Sequence, residues 1–534
     1  MKELSSHQQR KVSSRMRTFV SSALAWDVVL AALTLAWAVI FTRLFFPGRV
    51  NVDIGNQYLQ ATGKIPFTDW HPPIMSIVWR FLIDLTGEAG SLLVLQVGMI
   101  AVSCWLVGVL VHRCGAPRWV SLLGPAVMTT PWILSQLTTL WKDTQMAVAL
   151  LLAVMLLIIV RIVPKAWVLW IPAFVLLVYA LGLRKNAIFA LVPIAVYLGY
   201  CGVAMWNRRR RAQSAGTDTA AQPTHRRTVL MTAVMAIVVL ALLGGGMKAT
   251  DALIGSKEEV QATGQISQIF LDDIMFSVPN GELMASGAPT ELKEHISSAR
   301  DKCLARGEIW DAYWNCYGRG VSGKAFSPVA YQDDLKDLWL KKVITHPARY
   351  LEYRAAVFST YFFSSKLEYW EAGWDGDAQK VGIEGGSAKA DFIVRPYVED
   401  FALATFPMLF KPWFWSLLAV VLLGLAWRSR RRAQNTGESI IMPAGTWSTK
   451  GARASLAGTA PVRTFWPEVT MLATSALCYI FGYFPIVPAN HFRYTYWPAL
   501  AVTVAVVFVL AMWRSREPGS VATPRSRASS ESKT

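Results

Sequence analysis

Ten stretches of the chain run for about 20 residues with almost no charge: 24–46, 90–111, 119–137, 144–163, 166–183, 187–206, 228–247, 404–427, 468–488 and 496–513. A helix needs about that many apolar residues to cross the hydrocarbon core of a bilayer. The pattern therefore predicts an all-α polytopic membrane protein, a transmembrane helix bundle of about ten spans. A shorter period governs 74–85, where Ile74, Ile77, Val78, Phe81, Leu82 and Leu85 recur at spacings of three and four. They predict one apolar stripe on a helix too short to span, as in a helix lying along the membrane interface. Residues 248–403 are mixed in polarity, with helical patches such as 331–344 and turn-rich stretches such as 371–391. They predict a small extracytoplasmic subdomain with a helix re-entering the membrane.

The chain so divides into a basic tail (1–18), a transmembrane module (19–247) with a long first external loop (47–89), the subdomain (248–403), further transmembrane helices (404–513) with a linker (428–466), and a tail (514–534). The tails and the loops 207–227 and 428–466 are rich in Ser, Ala, Thr, Gly and Arg and read as linkers without a fold. No internal repeat at a fixed period is visible.

Composition agrees with the pattern: of 534 residues, 53% are hydrophobic and only 16% charged, against about 25% charged in soluble domains. The formal net charge is +18, which in a soluble protein would suggest a nucleic-acid partner. Its distribution removes that reading. Segments 1–18, 112–119, 161–165, 207–227, 428–466 and 514–534 together carry 27 Lys and Arg and five acids, a net of +22, while the rest nets −4. Basic loops stay in the cytoplasm, so a multi-pass cell-membrane protein with both termini cytoplasmic is expected. Runs such as "RRRR" (208–211) are expected to meet anionic membrane lipids, with no nucleic acid involved. The N-terminal apolar run has no small-residue cleavage site and reads as a retained first span.

Six cysteines are too few for a disulfide scaffold. Cys104, Cys201 and Cys478 fall in spans as small apolar residues. Cys303 and Cys316 lie in the large external segment, where a disulfide between them is a candidate. No Cys or His pair has zinc-ligand spacing.

The remaining polar residues collect in external loops. Asp53 follows the first span, with Asn51, Asn56 and Gln57 around it, and Asp69 stands beside Trp70 and the "HPP" that begins at His71. Three very short connections hold Lys142 and Asp143, then Arg184, Lys185 and Asn186, then His491, Arg493, Tyr494 and Tyr496. Taken singly, each has an ordinary reading as a snorkelling side chain, an interface anchor, or half of an ion pair such as Lys142 with Asp143. Taken together, acids from two loops and cations from three converge on one face, as a phosphate-bearing lipid and a polar nucleophile require. Asp27, near the other end of the first span, reads as a satisfied buried acid, and His112, His225 and His295 need no special role. An aromatic patch at Tyr361, Phe362, Phe363, Tyr369, Trp370 and Trp374 suits interface anchoring or sugar stacking.

An Asp shortly after the first span, followed by "HPP" and an amphipathic helix, resembles the GT-C superfamily of membrane glycosyltransferases. Within it the pattern is similar to the family 39, protein mannosyltransferase-like and bacterial Rgt-type enzymes. "WKDTQ" (141–145), "LRKNAIFALVP" (183–193), "HPARYLEYRAAVFSTYF" (346–362) and "HFRYTYWPAL" (491–500) resemble further segments of such chains. The second acid of the protein mannosyltransferases, directly after the first, is missing at Ile54. The resemblance implies a bacterial cell-membrane enzyme that moves a sugar from a polyprenyl-phosphate donor to a hydroxyl of a glycan, lipid or protein acceptor on the outer face, inverting the anomeric centre. Asp53 is then the expected base, with Lys142, Arg184, Lys185 and Arg493 expected to bind the donor phosphate. Gln57, His71, His491 and Tyr494 are further candidates for the site. A divalent ion (Mg or Mn) held by Asp53 with Asp143, or by Asp69, would assist. Two other classes compete: a transporter or flippase, expected to carry charges near the bilayer midplane, and a noncatalytic scaffold.

Overall fold

The computed structural model describes residues 22–213, 225–318, 328–363, 375–383, 392, 394–435 and 465–514. Its main helices in chain order are α1 (Ala23–Phe45), α2 (Val52–Ala61), α3 (Pro73–Thr86), α4 (Ser91–Arg113), α5 (Pro131–Leu137), α6 (Lys142–Ile162), α7 (Trp170–Leu183), α8 (Ala187–Gln213) and α9 (His225–Gly255). They continue with α10 (Gln265–Ser277), α11 (Thr290–Arg306), α12 (Pro347–Phe363), α13 (Pro412–Asn435), α14 (Trp466–Gly482) and α15 (Tyr496–Arg514). Eight helices among the described residues are long and apolar enough to cross a membrane, in the segments 23–45, 91–113, 142–162, 165–183, 187–207, 226–255, 412–431 and 492–513. The chain is an all-α, multi-pass membrane protein.

Two of the ten expected spans differ. Residues 119–137 do not form one helix: they break into Arg118–Ser121, Leu123–Ala126, a tight turn at Val127–Thr129, and α5. Pro125 and Pro131 remove helix donors and clash with the preceding turn. Gly124 lies so close to α4 that an added Cβ would sit 2.7 Å from the Cys104 carbonyl oxygen. The stretch expected at 468–488 is the 17-residue α14, roughly 26 Å long at 1.5 Å per residue, slightly short of a typical hydrocarbon core of about 30 Å.

Helices α4, α6 and α15 form the centre: over 70% of each apolar window is buried, against 22% for α1 and 11% for α9. Those outer helices present Leu24, Leu35, Leu230, Ile237 and Leu242 outward, where lipid rather than water is the matching solvent. Two of the central helices are closed at their last turns by buried pairs. Arg113 holds Asp27 at the end of α4, and Arg161 holds the fully buried Glu468 at 2.7 Å at the end of α6. Tyr197 adds a 2.6 Å hydrogen bond to the same carboxylate.

A second core, built on Leu271, Ile274, Leu292, Ile296, Tyr313 and Leu335, lies in the 248–403 segment. Cys303 and Cys316 are bonded across it; a loop of this size contributes about 3 kcal/mol by restricting the unfolded chain. Asp273 and Arg354 pair inside it at 2.7 Å, both at most 2% exposed. The two-residue strands β1 (Phe67–Thr68) and β2 (Val260–Gln261) pair in parallel and tie the 47–89 segment to this core. Of the aromatic patch, Tyr361 is buried and hydrogen-bonded to Thr495, so it packs rather than stacks on a ligand; Tyr369, Trp370 and Trp374 lie outside the described residues.

Candidate active site

Two short backbone contacts create the site. Arg49 and Thr139 form a parallel bridge, with Arg49 N–H donating to the Thr138 carbonyl and Leu140 N–H to the Arg49 carbonyl. A few residues after the bridge both chains turn into helices, α2 and α6. Asp53 and Asp143 thus fall in the first turns of neighbouring helices. A carboxylate there is favoured by the exposed amide groups and the helix dipole. The Asn51 side chain caps α2 by accepting from Ile54 N–H at 3.1 Å.

The third contribution comes from the loop before α15. His491 Nδ1 accepts from the Arg493 amide at 3.0 Å, which shapes the turn that carries Arg493. The guanidinium lies 4.4 Å from the Trp141 ring centre, donates to the Tyr494 hydroxyl at 3.0 Å and reaches Asp53 Oδ2 at 3.5 Å. Arg184 caps the end of α7 and meets Asp143 Oδ1 at 2.7 Å and Tyr483 at 3.2 Å. Both guanidinium carbons sit within 5.1 Å of the Tyr494 ring centre. The fourth contribution is His71: Lys142 Nζ lies 3.1 Å from its Nδ1, and its Nε2 lies 3.8 Å from Asp53 Oδ1.

The cluster is deeply buried yet open at one point. Asp143, His71 and Lys142 are at most 7% exposed, while the Asp53 side chain keeps 24% of its surface accessible. Burial drives the His71 imidazole down to about 3, reinforced by Lys142, so this ring is neutral at physiological pH. Burial also pushes the Asp53 carboxyl up, but the charges of His71, Arg493 and Lys142 outweigh it and hold Asp53 below its ordinary value. With the ring neutral, the two cations carry that effect near pH 7. Burial, then Arg493 and Arg184, keep His491 well below its usual value.

Several expectations are redirected. Lys142 and Asp143 do not pair with each other; one turns to His71 and the other to Arg184. Asp69 stays apart as a strap, its Oδ1 accepting from the Thr263 amide at 2.7 Å and from the Thr263 hydroxyl. Lys185 is exposed, and its charge acts on Asp251 of α9. Gln57 is buried, with its amide on Met75 Sδ at 3.2 Å. For a divalent ion the donor set does not fit: the carboxylates of Asp53 and Asp143 each face a guanidinium, and no three His, Cys, Asp or Glu side chains gather among the described residues. Trp141, Tyr479 and Tyr483 belong to the site without having been singled out by sequence. The charge of Asp311, which sits in the left-handed region at φ 52°, acts on Tyr494. A Trp before "KD" was the one available signal among them.

No protein-family model, curated protein or solved structure matches the chain.

Proposed function

We propose that the chain is a membrane glycosyltransferase of the GT-C type, moving a sugar from a polyprenyl-phosphate-linked donor to an acceptor hydroxyl at the extracytoplasmic surface. One observation carries this reading: an accessible, ionised carboxylate stands among three largely buried basic side chains of the described residues. Lys142, Arg184 and Arg493 face Asp53 and Asp143, and the first turns of α2 and α6 add their amide groups. A phosphate, with its charge and its acceptor oxygens, suits such a site.

In this reading Asp53 takes the proton of the acceptor hydroxyl. The acceptor oxygen bonds to the anomeric carbon while the bond from that carbon to the phosphate oxygen breaks, its electron pair leaving with the phosphate. Arg493 stabilises the departing charge, and the Asp53 proton then passes to water at its exposed edge. A bound phosphate also offsets the cations that depress Asp53, which raises its proton affinity when the donor is in place. No metal takes part in this scheme. Arg184, neutralised by Asp143, holds the Tyr494 and Tyr483 wall beside Arg493.

The test is transfer in proteoliposomes from a polyprenyl-phosphate sugar to a mixed acceptor pool. Release of polyprenyl phosphate by the wild type and its loss in Asp53→Asn are expected. Undiminished release in that variant removes Asp53 from the mechanism, and movement of the lipid across the bilayer without cleavage supports transport instead.

A further inference from the structure

We infer that Lys142 and His71 form a hydrogen-bonded pair that orients the Asp53 carboxylate, so that Lys142 is a positioning residue and not a ligand of the donor phosphate. The inference rests on the reading of Asp53 as the base. Its starting point is one contact: Lys142 Nζ lies 3.1 Å from His71 Nδ1, with both side chains buried. With Lys142 as an ammonium, which has donors and no acceptor, Nδ1 is the acceptor. A neutral ring then carries its proton on Nε2. Nε2 is the atom that stands 3.8 Å from Asp53 Oδ1, while Arg493 takes the other oxygen at 3.5 Å. Each carboxylate oxygen is thereby addressed by one N–H donor group. At 3.8 Å the first contact is longer than a hydrogen bond, and catalytic contacts of this kind tighten when substrate binds.

The ring is also held from its backbone. Asp69 is anchored on Thr263, Trp70 packs against Tyr313 and Trp314 with ring centres 5.7 and 5.4 Å away, and Gln265 donates to the Trp70 carbonyl at 3.0 Å. The charged groups facing His71 are Lys142, Asp53, Arg493 and Arg184; among them Lys142 is the one that contacts Nδ1. Its role therefore differs from that of Arg493, whose guanidinium faces Asp53 directly.

Two arms test this on the full-length protein in proteoliposomes. In the kinetic arm, Lys142→Met is expected to lower kcat with the polyprenyl-phosphate sugar by about 100-fold, the usual cost of a misplaced reacting group, with the donor KM raised far less than in Arg493→Gln. A raised donor KM at unchanged kcat makes Lys142 a phosphate ligand and overturns the inference. In the spectroscopic arm, ring-15N-histidine labelling with solid-state NMR reads the His71 tautomer, its signal assigned by its loss in His71→Asn. The wild type is expected to be neutral with the proton on Nε2, and Lys142→Met to move it toward Nδ1. A wild-type ring protonated on Nδ1, or on both nitrogens at pH 7, overturns the inference. The second arm needs no turnover, so a protein without transfer activity sinks the enzymatic reading while the tautomer still decides the pairing.

Discussion

Helix α6 carries buried charge at both ends, and the two ends are built differently. At its last turn Arg161 meets Glu468 at 2.7 Å, Tyr197 completes the carboxylate, and Glu468 is fully buried. At its first turn, roughly 30 Å away, Lys142 and Asp143 join Arg184, Arg493, His71 and Asp53, and Asp53 remains 24% accessible. The Arg161 end is matched charge for charge and closed, as expected of a brace between α6, α8 and α14. The Lys142 end gathers three basic side chains and two carboxylates among the described residues, and it has an opening. Buried charge that is balanced needs only its partner; buried charge that is unbalanced and reachable asks for a ligand.

Substitutions at the two ends should therefore behave as opposites. Asp53→Asn is expected to lower transfer by about 10²- to 10⁴-fold, the range for loss of a general base, with the melting temperature in detergent little changed. Glu468→Gln is expected to do the reverse, costing about 3–5 kcal/mol of stability because Arg161 is left without its counter-charge, while folded molecules keep their specific activity. Equal losses of activity and stability in both variants would erase the distinction. A smaller effect is expected from Arg493→Gln: kcat/KM for the donor lowered by about 10- to 100-fold, the worth of a charge-assisted hydrogen bond.

The last effect concerns pH. His71 is held down to about 3 by burial and Lys142, so below pH 6.5 the unfolded chain binds a proton that the folded chain refuses. Stability is therefore lost as pH falls from about 6.5 toward 3, by up to about 1.4 kcal/mol per pH unit. Thermal melts between pH 6.5 and 4.5 should show a shallower acid slope in His71→Asn than in the wild type. Parallel slopes would mean that the imidazole is not kept neutral.

Much of the bundle was legible because hydropathy reports the solvent of a helix directly, as for α1, α4, α6 and α15. The 119–137 stretch was not, since average hydropathy does not register what Gly124, Pro125 and Pro131 do to a backbone. At the site, the short loops announced that Asp53, Lys142, Arg184 and Arg493 sit near one rim, but not who faces whom. Lys142 and Asp143 invited pairing as neighbours in sequence. Adjacent residues on a helix point in different directions, and the structure sends them to His71 and Arg184. Asp69 reads like a second acid of the same loop, yet only the pairing of β1 with β2 reveals that it straps Thr263.

The central claim is that the Lys142 end of α6 receives a lipid-borne phosphate and the Arg161 end does not. Native mass spectrometry of the detergent-solubilised protein with polyprenyl monophosphate tests it directly. Bound lipid is expected on the wild type and on Arg161→Gln, and its loss on Arg493→Gln. Equal binding by Arg493→Gln, or loss on Arg161→Gln alone, would contradict it.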